Sequence, residues 1–166
     1  MSPNYLLRRR HAGFSLIELL IVISIIGIIA AIAVPSLQKY LKTGRETGAV
    51  NSLRSIHNSE AKFNSDKGKF GTLKELVDDE LLDKSYASGN PISQYVYSDT
   101  DVSADVYCVQ ATRQSNGSGD RDFNITEKGI VNYVKSATKN PVPRGEGTPI
   151  SNIAGAADKS GEAPKP

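Results

Sequence analysis

The chain has 166 residues, 20 Lys and Arg against 18 Asp and Glu, and one cysteine. Arg8, Arg9 and Arg10 outweigh the formal charge of +2: from residue 14 onward, 17 basic side chains face 18 acidic ones, a net of −1. That balance argues against a general nucleic-acid surface, and a lone Cys108 excludes an intrachain disulfide.

The basic cluster Arg8-Arg9-Arg10-His11 precedes an apolar run over residues 14–34, which reads LLIVISIIGIIAAIAV from residue 19. About 20 such residues cross a bilayer as a helix, and the basic cluster holds its upstream end in the cytoplasm. Glu18 is the only charge in the run. A carboxylate there costs roughly 2.5–3.5 kcal/mol on insertion scales, so it is normally kept for a partner. A cleaved secretory signal fits poorly, because the run is too long and continues past Ala33-Val34-Pro35 into helix-compatible sequence. An uncleaved signal anchor fits the hydropathy but leaves Glu18 and the Gly13-Phe14 junction unexplained.

Gly13-Phe14-Ser15-Leu16-Ile17-Glu18, with Leu19, Leu20, Ile21, Val22 and then Pro35, closely resembles the type IV pilin superfamily, which includes type IV pilins and the pseudopilins of type II secretion. The resemblance covers about 30 residues of a highly specific motif. It implies that a membrane prepilin peptidase cuts between Gly13 and Phe14 on the cytoplasmic side, and that the new Phe14 amine is N-methylated. It also implies that the apolar segment is retained, first as an anchor in the lipid bilayer and then in a filament core. Cleavage would place the Phe14 amine one helical turn from Glu18. That amine would stabilise the buried carboxylate in its own or a neighbouring subunit, and in the family the inter-subunit pairing sets axial register. The plainer alternative is that Glu18, near the end of the run, snorkels to the interface.

Pro35 is expected to kink or loosen the helix. Beyond it, Ala49, Leu53, Ile56, Glu60 and Phe63 recur at helical spacing, with Val50, His57 and Ala61 beside them. The two halves predict one helix over 14–65, about 75 Å long at 1.5 Å per residue, with 14–34 as its membrane or filament-core half. Gly44 and Gly48 are its soft points. His57 on the stripe reads as a packed histidine. Thr72 and Glu75 form a capping-box signature for a short helix whose face is Leu73, Leu76, Val77 and Leu81. The acidic cluster Asp78-Asp79-Glu80 with Asp83 suggests calcium. It lies on a helix without the spacing of a cation-wrapping loop, and reads as a solvated face.

From Ser93 the period changes to two. Strands are predicted at 94–98 and 104–112, with a turn at 99–101, and at 122–126 and 130–134 around Glu127-Lys128-Gly129. Tyr95, Tyr97, Tyr107, Phe123 and Tyr133 read as sheet packing. Val96, Val106, Cys108, Ile125 and Val131 are expected to face the helix, with Cys108 a buried structural thiol. This makes residues 66–134 an α+β head: an antiparallel sheet on one amphipathic helix. Residues 135–166, rich in Pro, Gly, Ala, Ser and Lys, read as a flexible or extended tail, free or laid on the domain or on a neighbour, whose removal costs little.

No catalytic set, cofactor motif or metal cluster is found in the sequence; the histidines are His11 and His57. The expectation is a non-enzymatic subunit with a cleaved 1–13 leader that polymerises into a type IV pilus. Its partners would be copies of itself, minor pilins, the prepilin peptidase and an inner-membrane assembly platform. It would sit in the inner membrane as a single-pass protein before joining an extracellular pilus. The alternative is a pseudopilin of a periplasmic pseudopilus, which the missing cysteine pair favours slightly. A third reading is a bitopic membrane protein that never polymerises.

Overall fold

The computed structural model describes residues 14–150. The chain divides into two compact units, residues 1–39 and 40–166, and helix α1 (Leu16–Lys67) contributes to both. The first 13 residues and residues 151–166 lie outside the described residues, and with them Gly13 and the distal half of the expected tail.

In the first unit, α1 is long and apolar enough to cross a membrane. Its side chains from Leu16 to Leu37 are exposed, Ile17 at 64% and Ile32 at 70%. Pro35 lies inside α1, whose helical assignment continues through Gly27, Gly44 and Gly48 as well. A proline offers no N–H to the carbonyl four residues earlier. The next residue, Ser36, donates its hydroxyl to the Ile32 carbonyl at 3.2 Å.

In the second unit, the apolar stripe does what its spacing predicts. Glu46, Ala49, Val50, Leu53, Ile56, Glu60 and Phe63 are the buried residues of α1. They meet a five-stranded antiparallel meander: β1 (Tyr95–Thr100), β2 (Cys108–Arg113), β3 (Arg121–Thr126), β4 (Val131–Lys135) and β5 (Thr148–Pro149). Helix α2 (Leu73–Asp78) begins at the predicted capping box: Glu75 N–H donates to Thr72 Oγ1, and Thr72 N–H to Glu75 Oε2. Leu73 and Leu76 are buried, with Val77 and Leu81 packed beside them. The β3–β4 hairpin turns at Gly129, as predicted, with φ +71°. A Cβ there would also lie 2.8 Å from His57 Nε2.

The register corrects the expected inner face. Tyr97, Ala111, Phe123 and Tyr133 stand opposite one another across the strands, as do Val109, Ile125 and Val131, and these rows form the helix-side core. Val96 pairs with Thr112, and Cys108 with Thr100 and Thr126, one residue out of step, so Val96 and Cys108 lie on the other face. Val106 is not in a strand. The reason is physical: the inward residues of β1 are tyrosines, and a one-residue shift flips every side chain. The predicted turn at 99–101 also moves. Thr100 still belongs to β1, and the crossing runs over 101–107, with Asp101 at φ 52° and Tyr107 fully buried at its end.

The largest correction concerns residues 135–150, expected to lie beyond the last packed element. They cover the other face of the sheet. Val142 is 1% exposed. Asn124 donates to the carbonyls of Val142, Pro143 and Glu146. Strand β5 pairs with β4, and the Ile150 N–H bonds the Val131 carbonyl.

Cys108 is buried, and burial pushes its thiol pKa up. Since the thiolate is the reactive form, Cys108 should resist iodoacetamide in the folded head and react once urea unfolds it. Dithiothreitol should leave the Tm unchanged. A Tm lowered by dithiothreitol would reveal an intermolecular disulfide, which this packing gives no reason to expect.

Candidate functional site

The candidate site at the N-terminus is built by the start of α1. The Leu19 N–H donates to the Ser15 carbonyl at 3.1 Å, which makes Ser15 the cap residue. Glu18 therefore stands in the first turn. There the unpaired N–H groups and the positive end of the helix dipole favour a carboxylate. Ser15 and Glu18 have the Ser-x-x-Glu spacing of a capping box, a signal present in the sequence itself. Phe14 is 76% exposed and precedes the cap. Helical periodicity therefore does not extend to its amine. Both Phe14 and Glu18 are open to a partner, while Pro35 sits further along in α1.

The head carries three polar clusters. Buried Glu46 accepts the Asp120 N–H at 2.7 Å and lies 3.8 Å from Arg121. Beside it Lys42 pairs with Asp120 at 2.7 Å, and Arg45 donates to the Gly117 carbonyl at 3.1 Å. These contacts pin the 115–121 loop to α1. Glu46 lies three residues before Ala49 on the buried stripe, which is the signal that could have found it.

At the end of β2, Arg113 lies 3.3 Å from Asp122, both side chains 1% exposed. Its guanidinium donates to the carbonyls of Gly119, Ser136 and Thr138, while Asp122 accepts the N–H groups of Arg113 and Asn140. This pair ties residues 136–140 to the sheet with no covalent link.

In the third cluster, His57 Nδ1 shares a 2.5 Å hydrogen bond with the Tyr107 hydroxyl, and burial lowers the His57 pKa. One turn on, Glu60 is 1% exposed. The acidic cluster is solvated, as expected, but only Asp78 lies in α2: Asp79 is its C-cap and Glu80 has φ 58°. Asp78 pairs with Lys74 and Asp79 with Lys67.

Comparison with known proteins points to the N-terminus. A family model described as the prokaryotic N-terminal methylation motif matches residues 8–34. The chain is 39% identical over 68 residues to the type IV major pilin protein PilA of Myxococcus xanthus, covering 41% of the chain and 31% of that relative. It is 30% identical over 86 residues to the type II secretion system core protein G of Aeromonas hydrophila, covering 52% of the chain and 59% of the relative. It is also 32% identical over 98 residues to the type IV major fimbrial protein FimA of Dichelobacter nodosus, covering 48% and 60%. The chain thus spans less than two thirds of the length of each of these relatives.

Proposed function

We propose that the chain is a member of the type IV pilin superfamily and a structural subunit of a type IV pilus, a reading supported by the N-terminal methylation motif over residues 8–34 and the similarity to pilins. The observation that carries the reading is the exposed apolar face of α1. From Leu16 to Leu37 its large side chains are uncovered, with Glu18 the sole charge. A surface of that kind needs lipid or other apolar helices around it. In the membrane the bilayer covers it; in a filament, copies of the same helix do. The peptidase cuts between Gly13 and Phe14, the Phe14 amine is methylated, and Glu18 of one subunit pairs with that amine on the next. An inner-membrane platform assembles the subunits. The second reading, a pseudopilin of type II secretion, is supported by the similarity to the secretion system core protein G.

Electron microscopy of a deletion strain, with assay of its secreted enzymes, tests the proposal. The expected result is loss of surface filaments with export intact. Retained filaments with enzymes trapped in the periplasm would assign the subunit to a pseudopilus instead.

A further inference from the structure

Glu60 is a buried carboxyl group with too few partners. One oxygen, Oε2, accepts the Gly71 N–H at 3.0 Å. The other, Oε1, is buried and has no hydrogen-bond partner. No ion pair among the described residues includes Glu60. A fully buried carboxylate is normally paired or multiply hydrogen-bonded, and an apolar residue at this point of the stripe would pack without that cost.

The surroundings explain what the group responds to. On its own helix, His57 lies one turn earlier, bonded to Tyr107. The carboxyl groups of Asp99 on β1 and Glu75 on α2 both disfavour a second negative charge, and Tyr107 ends the β1–β2 crossing beside it. Lys69 is engaged with Glu75 at 2.8 Å, and so does not neutralise Glu60. Burial first, and then Asp99 and Glu75, push the Glu60 pKa up to about 7, against the pull of the Gly71 N–H.

Gly71, which Glu60 holds, lies in the connection between α1 and α2, directly after Phe70, whose N–H bonds the Ala104 carbonyl at 3.4 Å. A Cβ on Gly71 would lie 2.9 Å from the Phe63 ring, so the backbone lies directly on the helix. Thr72, the next residue, caps α2. A second tie is the Ser59 hydroxyl, which donates to the Leu81 carbonyl at 2.7 Å. We propose that Glu60 is a proton-operated latch: protonated, it holds the 68–81 connection and α2 against α1, and ionised, it releases them while the sheet stays folded. Such a latch would make the surface formed by α2 sensitive to the pH outside the cell. The sign follows from linkage. A carboxyl group with a raised folded-state pKa favours the closed form below the ordinary carboxylate range, and that preference is lost as pH rises through about 7.

Hydrogen exchange on the full-length chain in detergent micelles tests this, with Glu60→Gln measured beside wild type so that intrinsic exchange rates and the titration of His57 cancel. At about pH 8.5, amides of 71–81 in the wild type should exchange about ten-fold or more faster than in the variant; at about pH 4, where Glu60 is protonated in the held form and mostly protonated in the released form, the two should match. Amides of β2 and β3 should be alike in both proteins at both values. An equal ratio for 71–81 at the two pH values would overturn the proposal. Should Glu60→Gln not fold, the carboxyl-carbon NMR titration of wild-type Glu60 decides: a midpoint near 7 is expected, and one in the ordinary carboxylate range would refute the latch.

Discussion

A chain ended at Val134 should lose most of the stability of its head. Truncation removes β5, buried Val142, all three carbonyls that Asn124 bonds, and the two carbonyls of 136 and 138 that Arg113 bonds. It uncovers one face of the sheet, and it takes the Asn140 N–H from Asp122. Each buried polar group left without a partner costs about 1–3 kcal/mol, and charged groups more. Small domains hold only about 5–15 kcal/mol in total. In a head fragment beginning at Lys42, truncation at Val134 should therefore lower the Tm by more than about 10 °C, or prevent folding. Arg113→Met isolates the ionic part. It leaves Asp122 buried and unpaired, at a cost of about 3–5 kcal/mol, or roughly 10–20 °C. Thermal denaturation followed by circular dichroism measures both. Unchanged melting of the truncated chain would show that residues 135–150 do not hold the sheet.

Glu18→Ala should abolish filaments while leaving the chain in the membrane. Removing the carboxylate relieves roughly 2.5–3.5 kcal/mol of insertion cost, so anchoring is kept or improved. Assembly would lose the carboxylate proposed to pair with the Phe14 amine of the next subunit. An unpaired buried charge costs about 3–5 kcal/mol, and a filament repeats that cost at every subunit. With no wild-type copies present, sheared filament yield should fall at least ~100-fold, the factor that about 3 kcal/mol gives at a single contact. Glu18→Gln should fail likewise if charge is what matters. Normal yield from either variant would remove inter-subunit pairing from the account.

What could be read in advance was what burial writes into spacing. Ala49, Leu53, Ile56, Glu60 and Phe63 recur at the helical period because one face of α1 is covered and the other is not. Thr72 with Glu75, and Gly129 in its turn, are local chemistry that needs no tertiary context. The sheet was harder because both of its faces are covered. Alternation then no longer marks inside from outside, and the inward positions of β1 went to Tyr95 and Tyr97 rather than to Val96. The 136–150 segment gave almost no signal. It is held by Arg113, Asp122 and Asn124 bonding its backbone, and backbone groups carry no sequence pattern. The buried pair of Arg113 and Asp122 holds that segment to the sheet through its backbone. At the N-terminus the motif was legible residue by residue. The cap at Ser15 was legible too, and its effect on Glu18 emerged only with the helix start in place.

The most direct measurement is the intact mass of the protein recovered from the membrane and filament fractions, with its N-terminal peptide sequenced. The account predicts a chain that begins at Phe14, carries one methyl group on its amine, and retains the whole of α1. A chain beginning after Ala33, or one still beginning at Met1 in the filament fraction, would contradict it.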